Sequence, residues 1–364
     1  MFTIARRVAV PLVLAGAVAL AGCGGGDDEP AGGGGTAAEE SSEPVEVVYA
    51  QPTPPTLLFY PALVAEELGF FEQEGVKAEL APSAEEISAT AFLDNGDADV
   101  SFADVDEIIL ARSKGGEHIS IFSPQHSNTA GMVTPEASGI QDFSGVAGKK
   151  VGLASEEDTA LFEAMLDAAG IEKDQVETAT VGTSGPLLAQ LFEKGEVDAY
   201  VGNASDFTAM AANGVALRNI TPPDIGRIDG NPLAVLPETL QEKEKAIVGF
   251  LRAWAKAQHL GWTKPEVVEA IVREKVPAEW RNEASGEAAL KQSIELMTPD
   301  DPQRIGDVRE DVWETGQDVL FRAGILEEKG DVTAALDAQY IEQINQFERA
   351  EVEKAADDWM AQNG

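Results

Sequence analysis

The sequence predicts an α/β protein with two lobes, each a doubly wound sheet, followed by a C-terminal helical wrap. Three observations predict this class. Strand patterns alternate with helical patterns as far as Leu236, which is typical of parallel-type sheets with helices on both faces. A segment that begins at Gly96 recurs in similar form at Gly195, and after Pro237 the apolar spacing is helical throughout.

Alternation and β-branched residues predict the strands, and Gly or Asn endings mark the helices between them. The predicted strands are 45–50, 76–80, 98–102, 119–123, 131–134, 149–153, 175–181, 197–201, 215–220 and 233–236. The predicted helices of this part are 57–68, 84–93, 105–113, 158–169, 186–192 and 207–212. The predicted C-terminal helices are 240–261, 265–275, 284–297, 308–323 and 332–360, the last in one or two segments.

A weak internal repeat suggests that the two lobes are similar. Residues 96–107 read GDADVSFADVDE and residues 195–206 read GEVDAYVGNASD. Each run follows a helix, enters an apolar strand and ends in a polar loop, which sets Asp104 opposite Asn203. Chance stays open as an explanation, because this connection is common. The predicted domains are a first lobe over 45–130, a second lobe over 131–230, and a return to the first lobe with C-terminal helices over 231–364.

The N-terminal segment predicts export and a lipid anchor. Residues 1–22 carry Arg6, Arg7 and a 14-residue apolar run, which indicates a signal peptide rather than a membrane span of about 20 residues. The sequence Leu-Ala-Gly-Cys, ending at Cys23, resembles a bacterial lipobox and predicts lipidation of Cys23; an incidental Cys is the alternative. Residues 23–44 predict a flexible Gly-rich linker. We expect a protein anchored by lipid to the outer face of the cell membrane.

Charge and missing motifs exclude several functions. A net charge of −38 disfavours nucleic acid and anionic lipid headgroups as partners. One Cys excludes an internal disulfide framework. The sequence contains no G-x-S-x-G, no H-E-x-x-H and no phosphate loop. We therefore expect no metal, no cofactor and no enzymatic activity.

The carboxyl ends of the predicted strands give the candidate site, because ligands of open α/β sheets bind there. The candidate ligand-binding residues are Gln51, Phe59, Tyr60, Asp104, Asp106, His126, Ser127, Asn128, Ser155, Glu156, Asp158, Asn203, Asp206 and Asn231. Helix capping is the alternative for Asp104, Ser155 and Asp158. Phe59 and Tyr60 have the alternative of a place in the core. The polar run at His126 also fits a crossover between lobes.

Four segments resemble one family of proteins. They are 61–75 (PALVAEELGFFEQEG), 96–100 (GDADV), 143–152 (FSGVAGKKVG) and 195–199 (GEVDA). They are similar to substrate-binding proteins of ABC importers in the nitrate/sulfonate/taurine and thiamine-precursor (NMT1/THI5-like, SsuA/ThiY-like) group, over about residues 45–275. The resemblance implies a type II periplasmic-binding-protein fold and a ligand held between two lobes. It also implies permease and ATPase partners, and we expect a monomer.

The charges of the candidate loops suggest the ligand. These loops carry several carboxylates and no Lys or Arg, which suits amine or ring N–H donors better than anions. Phe59, Tyr60, Phe102 and Phe207 are candidates for stacking. We expect a small nitrogen-bearing heteroaromatic, with an aminopyrimidine thiamine precursor as first choice. Sulfonate, taurine or nitrate anions, an exported pyrimidine-metabolism enzyme and a sensor's extracellular partner are the alternatives.

Overall fold

The computed structural model describes residues 43–51, 54–81, 87–156 and 158–364. The predicted signal peptide, Cys23 and the linker up to residue 42 lie outside the described residues. The described part contains the strands β1 (Val45–Ala50), β2 (Val76–Leu80), β3 (Val100–Phe102), β4 (Ile119–Phe122), β5 (Ala130–Pro135), β6 (Lys150–Leu153), β7 (Glu177–Thr180), β8 (Ala199–Asn203), β9 (Leu217–Asn219) and β10 (Leu233–Val235).

The strands form two five-stranded sheets with the same topology, as the predicted fold class requires. The first sheet has the order β2-β1-β3-β10-β4 and the second β7-β6-β8-β5-β9. In each sheet four strands run in the same direction, and one strand, β10 in the first sheet and β5 in the second, lies antiparallel between two of them. The chain therefore crosses between the lobes twice, over 123–129 (the first crossover) and 220–232 (the second crossover).

Helices cover the sheets and continue after β10. The α-helices are α1 (Tyr60–Glu67), α2 (Phe70–Gln73), α3 (Ala89–Asp94), α4 (Val105–Ser113), α5 (Asp158–Ala169), α6 (Gly185–Glu193), α7 (Ala204–Ala212), α8 (Pro223–Gly226), α9 (Pro237–Thr263), α10 (Pro265–Lys275), α11 (Glu283–Met297), α12 (Glu310–Arg322), α13 (Ile341–Ile344) and α14 (Arg349–Asn363). The helix expected over 332–360 is instead a 3₁₀ turn followed by α13 and α14. Among the described residues, no helix combines the length and apolarity needed to cross a bilayer.

The internal repeat corresponds to matching structural roles in the two lobes. The Asp99 carboxylate accepts the Val48 N–H at 2.9 Å, and the Asp198 carboxylate accepts the Lys150 N–H at 2.9 Å. Gly96, which starts the first run, has a φ of +72°, a conformation that glycine adopts without strain. Each repeat thus ties the entry of one strand to the neighbouring parallel strand. The loop that follows each repeat leads into a helix, α4 or α7, at the carboxyl end of β3 or β8.

The core of the first lobe forms around α9. Trp254 is fully buried, and its ring centroid lies 4.6 Å from that of Phe102. Tyr60 on α1 donates a hydrogen bond to the Gln258 carbonyl at 3.1 Å. A Cβ at Gly261 would lie only 2.1 Å from the Tyr60 hydroxyl, so glycine is what permits this close approach. Burial of this kind contributes most of a lobe's stability.

Two C-terminal helices contact both lobes. In the first lobe, α11 packs against the 3₁₀-helix Leu57–Phe59, and in the second lobe it packs against α7. On its second-lobe side, Thr208 on α7 donates a hydrogen bond to Gln292 at 2.6 Å. The other helix, α12, packs against α4 of the first lobe and α5 of the second. The predicted helical wrap therefore also forms part of the walls between the lobes.

Candidate functional site

A cavity of about 260 Å³ lies between the lobes at the ends of the parallel strands. It is lined by Asp104, Val105, Asp106, Asn128, Thr129, Ala130, Ala160, Leu161, Asn203, Ile228, Asp229, Gly316, Val319, Leu320, Ala323 and Ile325. Larger cavities lie elsewhere, including one of about 660 Å³ beside the last turn of α4. We take the smaller cavity as the candidate site because both lobes contribute to it where strand ends meet, the usual place for a ligand in such folds.

Asp104 lies at the cavity end of a hydrogen-bond chain that links this cavity to both crossovers. Gln125 on the first crossover donates to the Asn231 side-chain oxygen at 3.2 Å. Asn231 on the second crossover donates to the Asp104 carboxylate at 2.8 Å. Asn231 has a φ of +44°, a left-handed conformation that Asn tolerates better than most residues. The chain fixes the Asp104 carboxylate in the cleft.

Asp104 and Asp106 carry the unpaired negative charge of the cavity, because the third lining carboxylate, Asp229, forms an ion pair with Arg309. Asp104 occupies the N-cap position of α4, but its side chain makes no capping hydrogen bond. Both side chains remain exposed to solvent in the cleft, while the surrounding walls displace part of their water. This desolvation, together with the charges of Asp106 and Glu107, raises the pKa of Asp104 to about 7. Desolvation also raises the pKa of Asp106.

The raised pKa of Asp104 predicts a pH-dependent affinity for cationic ligands. Below about pH 7 the carboxyl is protonated, and above it the carboxylate attracts and accepts from a donor ligand. For a ligand with a fixed positive charge, we expect the affinity to rise from about pH 5 to about pH 7, by up to about tenfold per unit, and then level off. Calorimetry across this pH range measures the affinity. Asp104→Asn is the control, because its affinity should no longer change with pH over the same range. An affinity that falls as pH rises would contradict this role.

The second lobe contributes Asn203, at the start of α7, to the cavity lining. The buried Asp206 carboxylate accepts the Asn203 N–H at 2.9 Å and the Tyr200 hydroxyl at 3.1 Å. The Asp158 carboxylate accepts the Ser155 N–H at 2.7 Å and its hydroxyl at 2.8 Å. These bonds hold the two loops of the lobe in shape, and Ser155, Asp158 and Asp206 do not line the cavity.

The remaining predicted site residues lie outside the cavity lining. Phe59 is buried against Phe102 with ring centroids 5.6 Å apart, and Tyr60 is buried against α9. Gln51 is buried at the end of β1, and Glu156 is exposed beside α5. The ligand-binding role of these four residues stays a prediction. The predicted domain boundaries also stay predictions. Among the described residues that line the cavity, no side chain is aromatic, so its apolar wall is aliphatic instead of the expected stacking faces.

His126 and Ser127 belong to the first crossover, as the alternative explanation expected. The His126 N–H donates to the Leu296 carbonyl at 2.9 Å, which ties the crossover to α11. Burial and the nearby Arg309 lower the pKa of the His126 imidazole to about 4. His126 and Ser127 do not line the cavity, whereas the neighbouring Asn128 does.

Arg309 and the wall formed by α12 were missed by the sequence-based reasoning. Arg309 forms an ion pair with the fully buried Asp229 side chain. It also donates to the His126 carbonyl at 3.2 Å and the Arg227 carbonyl at 3.4 Å. One guanidinium therefore holds both crossovers. The amphipathic pattern predicts α12 itself, but no motif in the sequence indicates where this helix packs.

The fold and the cavity define a two-lobed protein of the periplasmic-binding-protein type. Residues 58–267 match the family model described as "NMT1/THI5 like". The match covers more than half of the chain, and the chain belongs to this family. Among the described residues, no group of three or more His, Cys, Asp or Glu side chains is arranged to hold a metal ion.

Solved structures of sulfonate-binding proteins share this fold. The periplasmic aliphatic sulphonate binding protein SsuA from Escherichia coli superposes with a TM-score of 0.60 at 16% identity, over 81% of this chain and 92% of that chain. A putative sulfonate ABC transporter periplasmic sulfonate-binding protein, SsuA from Methylobacillus flagellatus, gives 0.62 at 15% identity, over 86% and 97%. At these identities the likeness shows the fold alone.

Curated relatives correct one expectation. A protein from Legionella pneumophila named 4-amino-5-hydroxymethyl-2-methylpyrimidine phosphate synthase is 23% identical over 211 residues, which are 57% of this chain. The match spans 66% of that relative's length, and matches to two other relatives with the same name span 40% and 51% of theirs. These relatives are named as enzymes, so the expectation of no enzymatic activity, which rested on missing motifs, is wrong.

Proposed function

We propose that this chain is an extracytoplasmic lipoprotein that captures a small nitrogen-bearing heteroaromatic molecule of the aminopyrimidine type between its lobes. The lipid on Cys23 holds it at the outer face of the membrane, where it delivers the ligand to the permease and ATPase subunits of an ABC importer. The sequence of residues 20–23 supports the anchor. The family membership and the fold support the binding role.

The observation that carries the ligand class is the charge of the cavity. Asp104 and Asp106 line it, and none of its described lining residues is Lys or Arg. The third lining carboxylate, Asp229, is neutralised by its ion pair with Arg309. Two carboxylates without a basic partner repel a sulfonate or nitrate, but accept hydrogen bonds from an amino group or a protonated ring nitrogen. The electrostatics therefore favour a nitrogen-bearing ligand, although the structural neighbours include sulfonate-binding proteins. The pyrimidine named in the curated relatives belongs to the same chemical class.

Titration calorimetry against a ligand panel tests this proposal. The panel contains an aminopyrimidine, thiamine, riboflavin, taurine, an alkanesulfonate and nitrate. We expect the aminopyrimidine to bind most tightly and the three anions to bind weakly, because only the former satisfies the carboxylates. Tight binding of a sulfonate together with indifference to the pyrimidines would contradict the proposal.

Synthesis of a pyrimidine is a second candidate function, favoured by the names of the curated relatives. Mass spectrometry after incubation of the protein with a pyrimidine-free extract of small molecules separates the two candidates. A pyrimidine that forms in this mixture supports synthesis, whereas a mixture in which none forms supports capture and delivery. Permease and ATPase genes beside this gene would support import, and a lone sensor kinase gene would support signalling.

A further inference from the structure

We propose that α12 sets the substituent preference of the ligand, an inference that rests on the proposed function. The polar lining residues of the cavity all come from other elements and loops; they are Asp104, Asp106, Asn128, Thr129, Asn203 and Asp229. The part of the lining that α12 contributes is apolar and consists of Gly316, Val319 and Leu320. A ring that is bound to the carboxylates through its nitrogens therefore meets hydrocarbon where it contacts α12. Val319 and Leu320 then favour rings that carry an alkyl substituent at the position that faces this helix.

The packing of α12 holds this wall in place. Trp313 and Leu320 belong to the core of the first lobe, while Val319 packs against the core of the second. At Gly316 an added Cβ would come within 3.0 Å of the Val105 side chain, so helix and lobe are in close contact. Just before α12, Arg309 ties the chain to both crossovers. Because these contacts hold α12 in place, the helix cannot move away to accommodate any substituent.

The apolar lining makes the preference measurable. Burying one methyl group against aliphatic side chains favours binding by about fourfold. We therefore expect wild-type protein to bind a methylated aminopyrimidine about fourfold more tightly than its unmethylated parent. A methyl group also raises the basicity of the ring nitrogens, and this effect on the contacts to Asp104 is the same in every variant that keeps Asp104. The change in the ratio of the two dissociation constants when the wall is altered therefore reports on the apolar wall.

Val319→Thr tests the inference, because it keeps the side-chain shape and places a hydroxyl in the wall. We expect the ratio of dissociation constants to fall toward one in Val319→Thr. Phe321→Ala is the matched control on the same helix, since Phe321 is exposed to solvent and does not line the cavity. In this control the ratio is expected to stay at the wild-type value, and calorimetry gives both constants for each protein.

Two outcomes would overturn the inference while leaving the proposed function intact. One is a wild-type protein that binds both pyrimidines with equal affinity. The other is a Val319→Thr protein that retains the wild-type ratio. In contrast, wild-type protein that binds neither pyrimidine contradicts the proposed function itself. The two failures are therefore distinguishable in one set of titrations.

Discussion

Replacing Arg309 with alanine is expected to lower the free energy of unfolding by about 3–5 kcal/mol, as for other buried ion pairs that lose one partner. The variant leaves the fully buried Asp229 carboxylate without its counter-charge. It also removes the hydrogen bonds to the His126 and Arg227 carbonyls, which hold the two crossovers together. Urea unfolding at about neutral pH measures the loss.

The pH dependence and a matched variant identify the cause of this loss. Burial raises the pKa of Asp229 to about 6, even though Arg309 opposes the shift. Without Arg309 the pKa of the folded Asp229 carboxyl rises further, whereas the unfolded carboxyl ionises at about pH 4 in both proteins. The loss of stability relative to wild type should therefore grow above about pH 6, where the folded wild-type carboxyl ionises beside Arg309 and the folded variant carboxyl stays protonated. Arg227→Ala, which breaks the exposed pair with Asp311, should cost about 0–1 kcal/mol. Equal losses in the two variants would contradict the buried-pair account.

Replacing Asp104 with alanine is expected to weaken binding of an aminopyrimidine by about 1.5–3 kcal/mol, or about 10- to 150-fold. Asp104 is the cavity carboxylate that the crossovers hold in place through Asn231. Its loss removes an acceptor for the ligand and leaves the Asn231 amide without its partner. Calorimetry at about pH 8, where Asp104 is ionised, gives the largest difference.

Glu193→Gln is the control for this substitution. It removes a negative charge from the exposed end of α6 in the second lobe, and Glu193 does not line the cavity. Its affinity should stay within about twofold of wild type, because exposed charges away from the site are screened by salt. If Asp104→Ala changed the affinity as little as Glu193→Gln, Asp104 would have only a structural role at the start of α4.

The sequence predicted the general fold because its signals are local. Strand and helix patterns, and the repeat that contains Asp99 and Asp198, depend on neighbouring residues in each lobe. The same repeat located Asp104 and Asn203 at strand ends, and both line the cavity. When an apolar side chain follows a strand in the sequence, the local pattern does not distinguish a core residue from a residue that contacts a ligand. Phe59, which is buried in the structure, is an example.

The rest of the site depends on how distant segments pack. Arg309 and Asp229 are 80 residues apart, and only tertiary structure brings them together. The position of α12 in the cavity wall likewise depends on tertiary packing. Its sequence shows that the helix is amphipathic but does not indicate which elements it packs against. Asp206 and Asp158 follow strands in the sequence, and in the structure their carboxylates accept hydrogen bonds inside their own lobe, which the local pattern does not indicate.

A crystal structure of the protein with its tightest-binding panel ligand tests the central claim most directly. The account predicts a ring between the lobes, with a nitrogen within hydrogen-bond distance of the Asp104 carboxylate and carbon atoms against Val319. Ligand bound in the larger cavity beside the last turn of α4, or a ring whose nitrogens face away from Asp104 and Asp106, would contradict it.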